Sequence, residues 1–293
     1  MFDKTYKQIV ILSGKGGTGK TTLSAALASL IDKKVIIDCD VDAANLYLIL
    51  KPEIIHSYEF SGGKKASINR SKCEECGLCE TVCRFDAINN YTINQLSCGG
   101  CGLCFRICPY GAIEFNTKKS GYYFECELPD KSKFYYGKLL PGEENSGKLV
   151  SEIKRKALES ISSDIEWLIV DGPPGIGCPV NASITGADYA IIVTEPTVSG
   201  IHDLKRIVQL LTTFKIHAGI VINKYDLNEN ITSQIFKYTD SVNIPIIGSV
   251  PFDIEFVNAL INRENAVDTN ERIREEIQAI WRKLELQIEI SIN

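Results

Sequence analysis

The chain has no surplus of basic residues. Its 293 residues carry 32 Lys and Arg against 37 Asp and Glu, a net charge of −5, so the field that draws a protein to a phosphate backbone is missing and nucleic acid is not an expected partner. Long apolar runs are missing as well. Ahead of the first glycine-rich stretch, "MFDKTYKQIVILSGK" offers only four consecutive apolar residues, too few for the apolar region of an export signal or for a membrane span. A cytoplasmic location with no membrane partner is the resulting expectation. With 44% hydrophobic and 24% charged residues, the composition is that of a soluble globular protein. The length allows one large α/β domain and a small one.

Cysteine is abundant by contrast. Eight of the 11 cysteines crowd into residues 73–108, and Cys39, Cys126 and Cys178 stand alone. With no export signal, a disulfide framework is not expected, and metal ligation fits the crowding better.

The first 50 residues read as strand, loop, helix and strand: "QIVILS", "KTTLSAALASLI" and "KVIIDCD". Further apolar runs follow in "WLIVDGPPG", "YAIIVTEP", "HAGIVINKYD" and "IPIIGSVPFD", with helix-like segments at 200–213 and 229–240. This rhythm predicts a doubly wound, mostly parallel α/β sheet with its ligand at the strand carboxyl ends. Residues 67–116 break it. "CEECGLCETVCRFDAI" at 73–88 and "CGGCGLCFRICPYGAI" at 98–113 form an internal repeat. The chain therefore divides into 1–66 and 117–293, two parts of the α/β domain, around an insert at 67–116. The stretch "YYFECELPDKSKFYYGKL" that follows reads as a hairpin turning at "PDK".

"GKGGTGKT" at 14–21 fits G-x-x-x-x-G-K-[ST] between an apolar strand and a helix. Gly14, Gly16, Gly17, Thr18 and Gly19 let backbone N–H groups wrap phosphate oxygens, Lys20 reaches the β/γ-phosphates, Thr21 is a Mg²⁺ ligand, and Thr22 continues the helix start. This is the signature of a P-loop NTPase. Lys15 is a second lysine inside the loop.

Each half of the repeat is C-x₂-C-x₂-C-x₃-C, the ligand run of bacterial two-cluster ferredoxins, whose fourth cysteine serves the other cluster. Cys73, Cys76, Cys79 and Cys108 are thus expected around one [4Fe–4S] cluster, and Cys98, Cys101, Cys104 and Cys83 around a second. Zinc suits a C-x₂-C pair but not two repeated four-cysteine runs. Arg84 stands where the second run has Pro109, and it reads as a solvated charge. An insert of this size depends on its clusters to fold.

With Lys15, Lys20, "IIDCDVDAANL" at 36–46 and "VDGPPG" at 170–175, the chain resembles the deviant Walker A ATPases, the MinD and ParA group, and within it those carrying an inserted α+β ferredoxin domain. The resemblance implies ATP and Mg²⁺ as ligands and a nucleotide-sandwich dimer, either of identical chains or with a paralogue. In it Lys15 reaches the partner's phosphates, Asp40 orients the attacking water, Asp38 supports the magnesium shell and Asp171 acts on Mg²⁺. Asn223 meets the adenine, and Pro251 completes the nucleotide-binding set. Two points stay open: Lys15 can instead add field at its own site, and Asn223, Lys224 and Asp226 also spell N-K-x-D, a guanine-reading pattern.

Cys178 lies seven residues after Asp171, a spacing similar to that of a cluster ligand in the nitrogenase iron protein, but "PGEENSGKLV" lacks that protein's second bridging cysteine. A buried free cysteine is the expectation. In "ERIREEIQAIWRKLEL", Ile273, Ile277, Ile280 and Leu284 share a helical face, which predicts packing onto the domain rather than a membrane anchor. The function expected is a slow, partner-stimulated dimeric ATPase that couples its cycle to electron transfer through the clusters. The alternatives are a scaffold that supplies iron–sulfur or metal cofactors and a redox-sensing ATP switch. A redox protein or an apo metalloprotein is the expected partner.

Overall fold

The computed structural model describes residues 5–292. β1 (Lys7–Ser13) runs through the glycine-rich loop into α1 (Lys20–Leu30), followed by β2 (Lys34–Asp38). After α2 (Leu46–Leu50), β3 (Glu53–Phe60) and β4 (Gly63–Ile68), the cysteine-rich segment holds α3 (Leu78–Thr81), β5 (Ile88–Asn89), β6 (Thr92–Ile93) and α4 (Leu103–Ile107). The chain leaves it by β7 (Ile113–Lys118), then forms β8 (Gly121–Glu127), β9 (Lys133–Leu139) and α5 (Ser146–Glu159). Strands and helices then alternate: β10 (Trp167–Pro174), α6 (Cys178–Ile184), β11 (Tyr189–Thr194), α7 (Val198–Phe214), β12 (His217–Asn223), α8 (Glu229–Ser241) and β13 (Ile246–Val250). α9 (Ile254–Ile261), α10 (Ala266–Thr269) and α11 (Glu271–Ile292) complete it.

The nine-stranded sheet has the order β13-β12-β11-β1-β10-β2-β9-β8-β3, parallel from β13 to β9 and antiparallel beyond. The short apolar runs form its centre because both faces are covered. Along β1, Ile9 and Ile11 enter the layer under α1 and α11, while Val10 and Leu12 enter the layer under α5 and α7. The hairpin β8–β9 forms as its turn chemistry predicts, and β9 joins the main sheet beside β2. β3 was not legible. It is an edge strand whose residues 53–57 are all exposed, so no alternation of apolar and polar side chains marks it.

β4 and β7 pair from Gly63↔Lys118 to Ile68↔Ile113 and enclose the cysteine-rich segment, with β5–β6 a second small sheet inside it. This neck extends outside the expected limits of 67 and 116. Within the segment and its neck, the fully buried apolar side chains are Ala66, Ala87, Ile88, Ala112 and Ile113, while Leu78, Phe85, Leu96, Leu103, Phe105 and Tyr110 are exposed. At the other end of the chain, Ile273, Ile277, Ile280 and Leu284 of α11 are all buried in the core. No helix among the described residues is long and apolar enough to cross a membrane.

Candidate functional site

The loops leaving the carboxyl ends of β1, β2, β10, β12 and β13 surround a cavity of about 770 Å³. Gly16, Gly17, Thr18, Gly19, Lys20, Thr21 and Thr22 form one wall, and Asp40 lies on the loop after β2. Asn223 and Pro251 stand at the ends of β12 and β13. Gly17 and Gly19 have φ of +81° and +89°, which favours glycine, and Gly19 opens α1 onto the cavity. The unpaired N–H groups of that helix start suit an anion. Gly14 is placed differently. A Cβ there would lie 2.1 Å from the Cβ of Asp203, so this glycine is required by close packing against α7.

Asp171 follows the apolar residues 167–170 of β10, inside its buried run, and is wholly inaccessible. Lys20 Nζ donates to its Oδ1 at 2.7 Å, Thr21 Oγ1 donates to Oδ2 at 3.0 Å, and the Ser24 hydroxyl lies 2.7 Å from Oδ1. Burial pulls the Lys20 ammonium down, but Asp171, reinforced by Asp38 and Asp40, holds it above the ordinary lysine value. Ser24 went unassigned in the sequence. Its one signal was its place a helical turn after Lys20.

Asp38 and Asp171 are register partners across β2 and β10. Burial first, then the Asp171 charge, pushes the Asp38 carboxyl up to about 7. Its two oxygens accept from the N–H groups of Asp40 at 3.0 Å and Leu46 at 3.2 Å. Asp38 therefore ties together the two ends of the loop 40–46 from below, while Asp40 and Asp42 of that loop line the cavity. Burial also raises the Asp40 carboxyl.

Lys15 points to α7. Its Nζ lies 2.6 Å from Glu195 Oε1 and donates to Ser199 Oγ at 3.1 Å and Thr197 Oγ1 at 3.3 Å. Glu195 Oε2 also meets Lys224 Nζ at 3.6 Å. Glu195, just past the end of β11, is a second residue with no local motif to mark it. On the base side, Asn223 Nδ2 donates to the Thr18 carbonyl at 2.8 Å, and the Phe252 N–H donates to Asp226 Oδ1 at 2.7 Å. Phe252, Phe256, Val257 and Leu260 make this end of the cavity apolar.

In the insert, Cys73, Cys76 and Cys79 from the first run and Cys108 from the second line one cavity. The Cys104 thiol is raised by burial and, among charges, by Cys98, Cys101 and Cys83. Cys108 thus sits with the first three cysteines of the other run, and Cys83 is near enough to Cys104 to act on its thiol. Gly77 and Gly102, at matching places in the runs, start α3 and α4 with φ of 74° and 69°. Among the described residues, no group of three or more His, Cys, Asp or Glu is placed to hold a single metal ion. Arg84 is exposed and lies over the Phe85 ring.

Cys178 corrects an expectation. It is exposed, not buried, because it begins α6 at the surface. A Cβ on Gly147, in the first turn of α5, would lie 3.2 Å from Cys178 Cβ.

The family model described as "CobQ/CobB/MinD/ParA nucleotide binding domain" matches residues 9–267. An uncharacterized protein of Methanocaldococcus jannaschii is 36% identical over 282 residues, covering 94% of this chain and 96% of that protein. The septum site-determining protein MinD of Synechocystis is 26% identical over 85% of this chain and 77% of its own. Among solved structures, MinD of Pyrococcus horikoshii complexed with Mg-ADP aligns over 98% of both chains, with a TM-score of 0.57 and 17% identity. A ParA family ATPase from Chlorobium tepidum aligns over 99% of both, with a TM-score of 0.55 and 14% identity. At these identities the structural matches speak for the fold.

Proposed function

The chain belongs to the CobQ/CobB/MinD/ParA nucleotide-binding family and has the MinD-type, mostly parallel P-loop sheet, and from that premise we propose that it is a nucleotide-dependent dimeric ATPase governing one-electron transfer through a ferredoxin insert. The single observation that carries the redox half is the crossed placement of Cys108, which lines one cavity with Cys73, Cys76 and Cys79; the influence of Cys83 on the Cys104 thiol, alongside that of Cys98 and Cys101, agrees with the mirror arrangement. That crossing is what two [4Fe–4S] clusters require.

The apolar inventory of the insert agrees. Five small or medium side chains are buried there and six large ones are exposed, which is little core for an independent fold. Metal–thiolate bonding supplies the missing stability. When bound, each cluster supplies one-electron redox chemistry. The cysteines hold it, and Gly77 and Gly102 let the ligand loops turn.

In the nucleotide site, Thr21 and Asp171 would hold Mg²⁺, with Asp38 fixing the loop that presents Asp40. Asp40 is positioned to orient an attacking water. Lys20 leaves Asp171 to reach the β/γ-phosphates as nucleotide enters. Lys15 serves the phosphates of a second chain once Glu195 releases it. ATP is favoured over GTP because one oxygen of Asp226 already accepts the Phe252 N–H, so the aspartate of the N-K-x-D pattern is used as a brace.

A second reading, a carrier that delivers clusters or metal to an apo metalloprotein, draws on the exposure of Cys178, Cys76 and Cys101. Anaerobic iron counting during ATP turnover separates the two. About eight irons per chain retained through turnover support electron transfer. Iron leaving for an apo-acceptor on ATP addition replaces it with the carrier, and a chain without iron or ATP turnover contradicts both.

A further inference from the structure

Two consecutive amides join the nucleotide site to the neck of the insert. Leu139, the last residue of β9, donates its N–H to the carbonyl of Val41 at 3.0 Å, inside the loop 40–46 that presents Asp40 to the cavity. The next residue, Leu140, donates to the carbonyl of Ser120 at 2.9 Å, in the link between β7 and β8, and Ser120 N–H donates to the carbonyl of Phe60 at 2.8 Å, the last residue of β3, three residues before the neck strand β4. A displacement of Val41 has one peptide unit to cross before it acts on the neck.

The following residues grip the neck further. Glu143 Oε1 lies 2.6 Å from Lys118 Nζ, its side chain only 6% exposed. The Lys118 hydrogen bond holds the Glu143 carboxyl below its ordinary range. Lys148 Nζ donates to the carbonyls of Ser61 and Gly62, at 3.3 Å each. The body of the insert is tied to the same neck, since Lys65 Nζ donates to the Gln95 carbonyl at 2.6 Å and Gln95 Nε2 donates to Ala66 at 2.8 Å. A Cβ on Gly142 would lie 3.2 Å from Leu96 Cδ2. At its far end the stretch enters α5, whose Gly147 abuts Cys178 four residues beyond the end of β10.

We infer that residues 139–148 form a coupling strap between the nucleotide site and the insert, with the Glu143–Lys118 pair as its clamp. The strap touches the loop after β2, the segment after β10 and both neck strands. A rearrangement of either nucleotide-site segment is therefore felt at the neck, and by reciprocity the state of the insert is felt at the nucleotide site. The inference rests on the reading that nucleotide and insert work together, and it names the part that connects them. Glu143 is a positioning residue: it lies outside the cavity and touches no residue placed in the nucleotide or cysteine sites.

The test is hydrogen exchange read by mass spectrometry on the full, iron-loaded chain under anaerobic conditions, with and without Mg²⁺ and a non-hydrolysable ATP analogue. In the native chain, amides of 60–66 and 116–121 are expected to change exchange rate together with 40–46, by about fivefold or more, the lower end of common coupling strengths. Glu143→Gln keeps the change at 40–46 and loses it at the neck, at analogue concentrations that saturate both chains. Lys118→Met does the same should Glu143→Gln fold poorly, and the reversed pair Glu143→Lys with Lys118→Glu restores the neck response. A native neck that ignores the analogue while 40–46 responds overturns the strap, as does a Glu143→Gln neck that responds like the native one. Cluster potentials are a separate readout: a responsive neck with unmoved potentials removes the electron-transfer reading and leaves the strap standing.

Discussion

The ammonium of Lys15 is paired with the carboxylate of Glu195 at 2.6 Å. The second lysine of the phosphate loop is thereby held within its own chain, at the start of α7, where a cation gains nothing from the helix dipole and depends on Glu195. A partly exposed pair of this kind contributes about 1 kcal/mol or less. Glu195→Gln is therefore expected to lower the ATP concentration needed for self-association by up to roughly fivefold. Lys15→Ala is expected to abolish that association while leaving ATP binding to the single chain largely intact. Sedimentation velocity across an ATP titration reads both, and a Glu195→Gln chain that associates less readily than the native one contradicts the latch.

Two glycines of one motif are expected to behave oppositely in stability. Gly14→Ala drives a methyl to 2.1 Å from Asp203 Cβ, whereas Gly16→Ala meets nothing within 4 Å. Thermal denaturation without nucleotide should show Gly14→Ala destabilised by about 1–3 kcal/mol, the usual range for forced overpacking. Gly16→Ala should stay close to the native chain. Equal melting temperatures for the two variants contradict the packing account of Gly14.

Asp226 distinguishes a guanine reader from a brace. If it read guanine, Asp226→Asn would transfer preference from GTP to XTP. As the acceptor for the Phe252 N–H, it should instead give no XTP binding when changed to Asn. Asp226→Ala should weaken ATP by about fivefold, near the value of one hydrogen bond. Nucleotide competition by calorimetry decides, and any gain of XTP affinity counts against the brace.

The crossed cysteine pairing predicts which variants share a phenotype. Cys108→Ala should lose the same electron paramagnetic resonance signal as Cys73→Ala, and Cys83→Ala the same signal as Cys98→Ala. Iron should fall from about eight to about four per chain in each. Cys108→Ala grouping with Cys98→Ala instead contradicts the proposed crossed pairing, which starts from the shared cavity of Cys73, Cys76, Cys79 and Cys108.

The residues that were legible in the sequence are those whose chemistry is local. The apolar runs of β1, β2 and β10–β13, the turn before β9, the face of α11 and the phosphate loop each announce themselves within a few neighbours. What was not legible depends on distant partners. β3 has no buried face to pattern it, Glu195 matters only because Lys15 reaches it across 180 residues, and Ser24 only because β10 places Asp171 beside it. Cys178 was expected to be buried as isolated cysteines commonly are, but the start of α6 leaves it at the surface. The packing of Gly14 against Asp203, a second reason for glycine there besides the phosphate loop, also depends on a distant partner.

Mutual action of nucleotide and clusters is tested by an anaerobic redox titration of the iron-loaded chain, followed by electron paramagnetic resonance, with Mg·ATP, with Mg·ADP and with neither. The midpoint potential or the reduced spectrum of at least one cluster is expected to change with Mg·ATP while the iron count stays constant. Potentials and spectra identical in all three conditions, from a chain that binds ATP and holds its iron, contradict it.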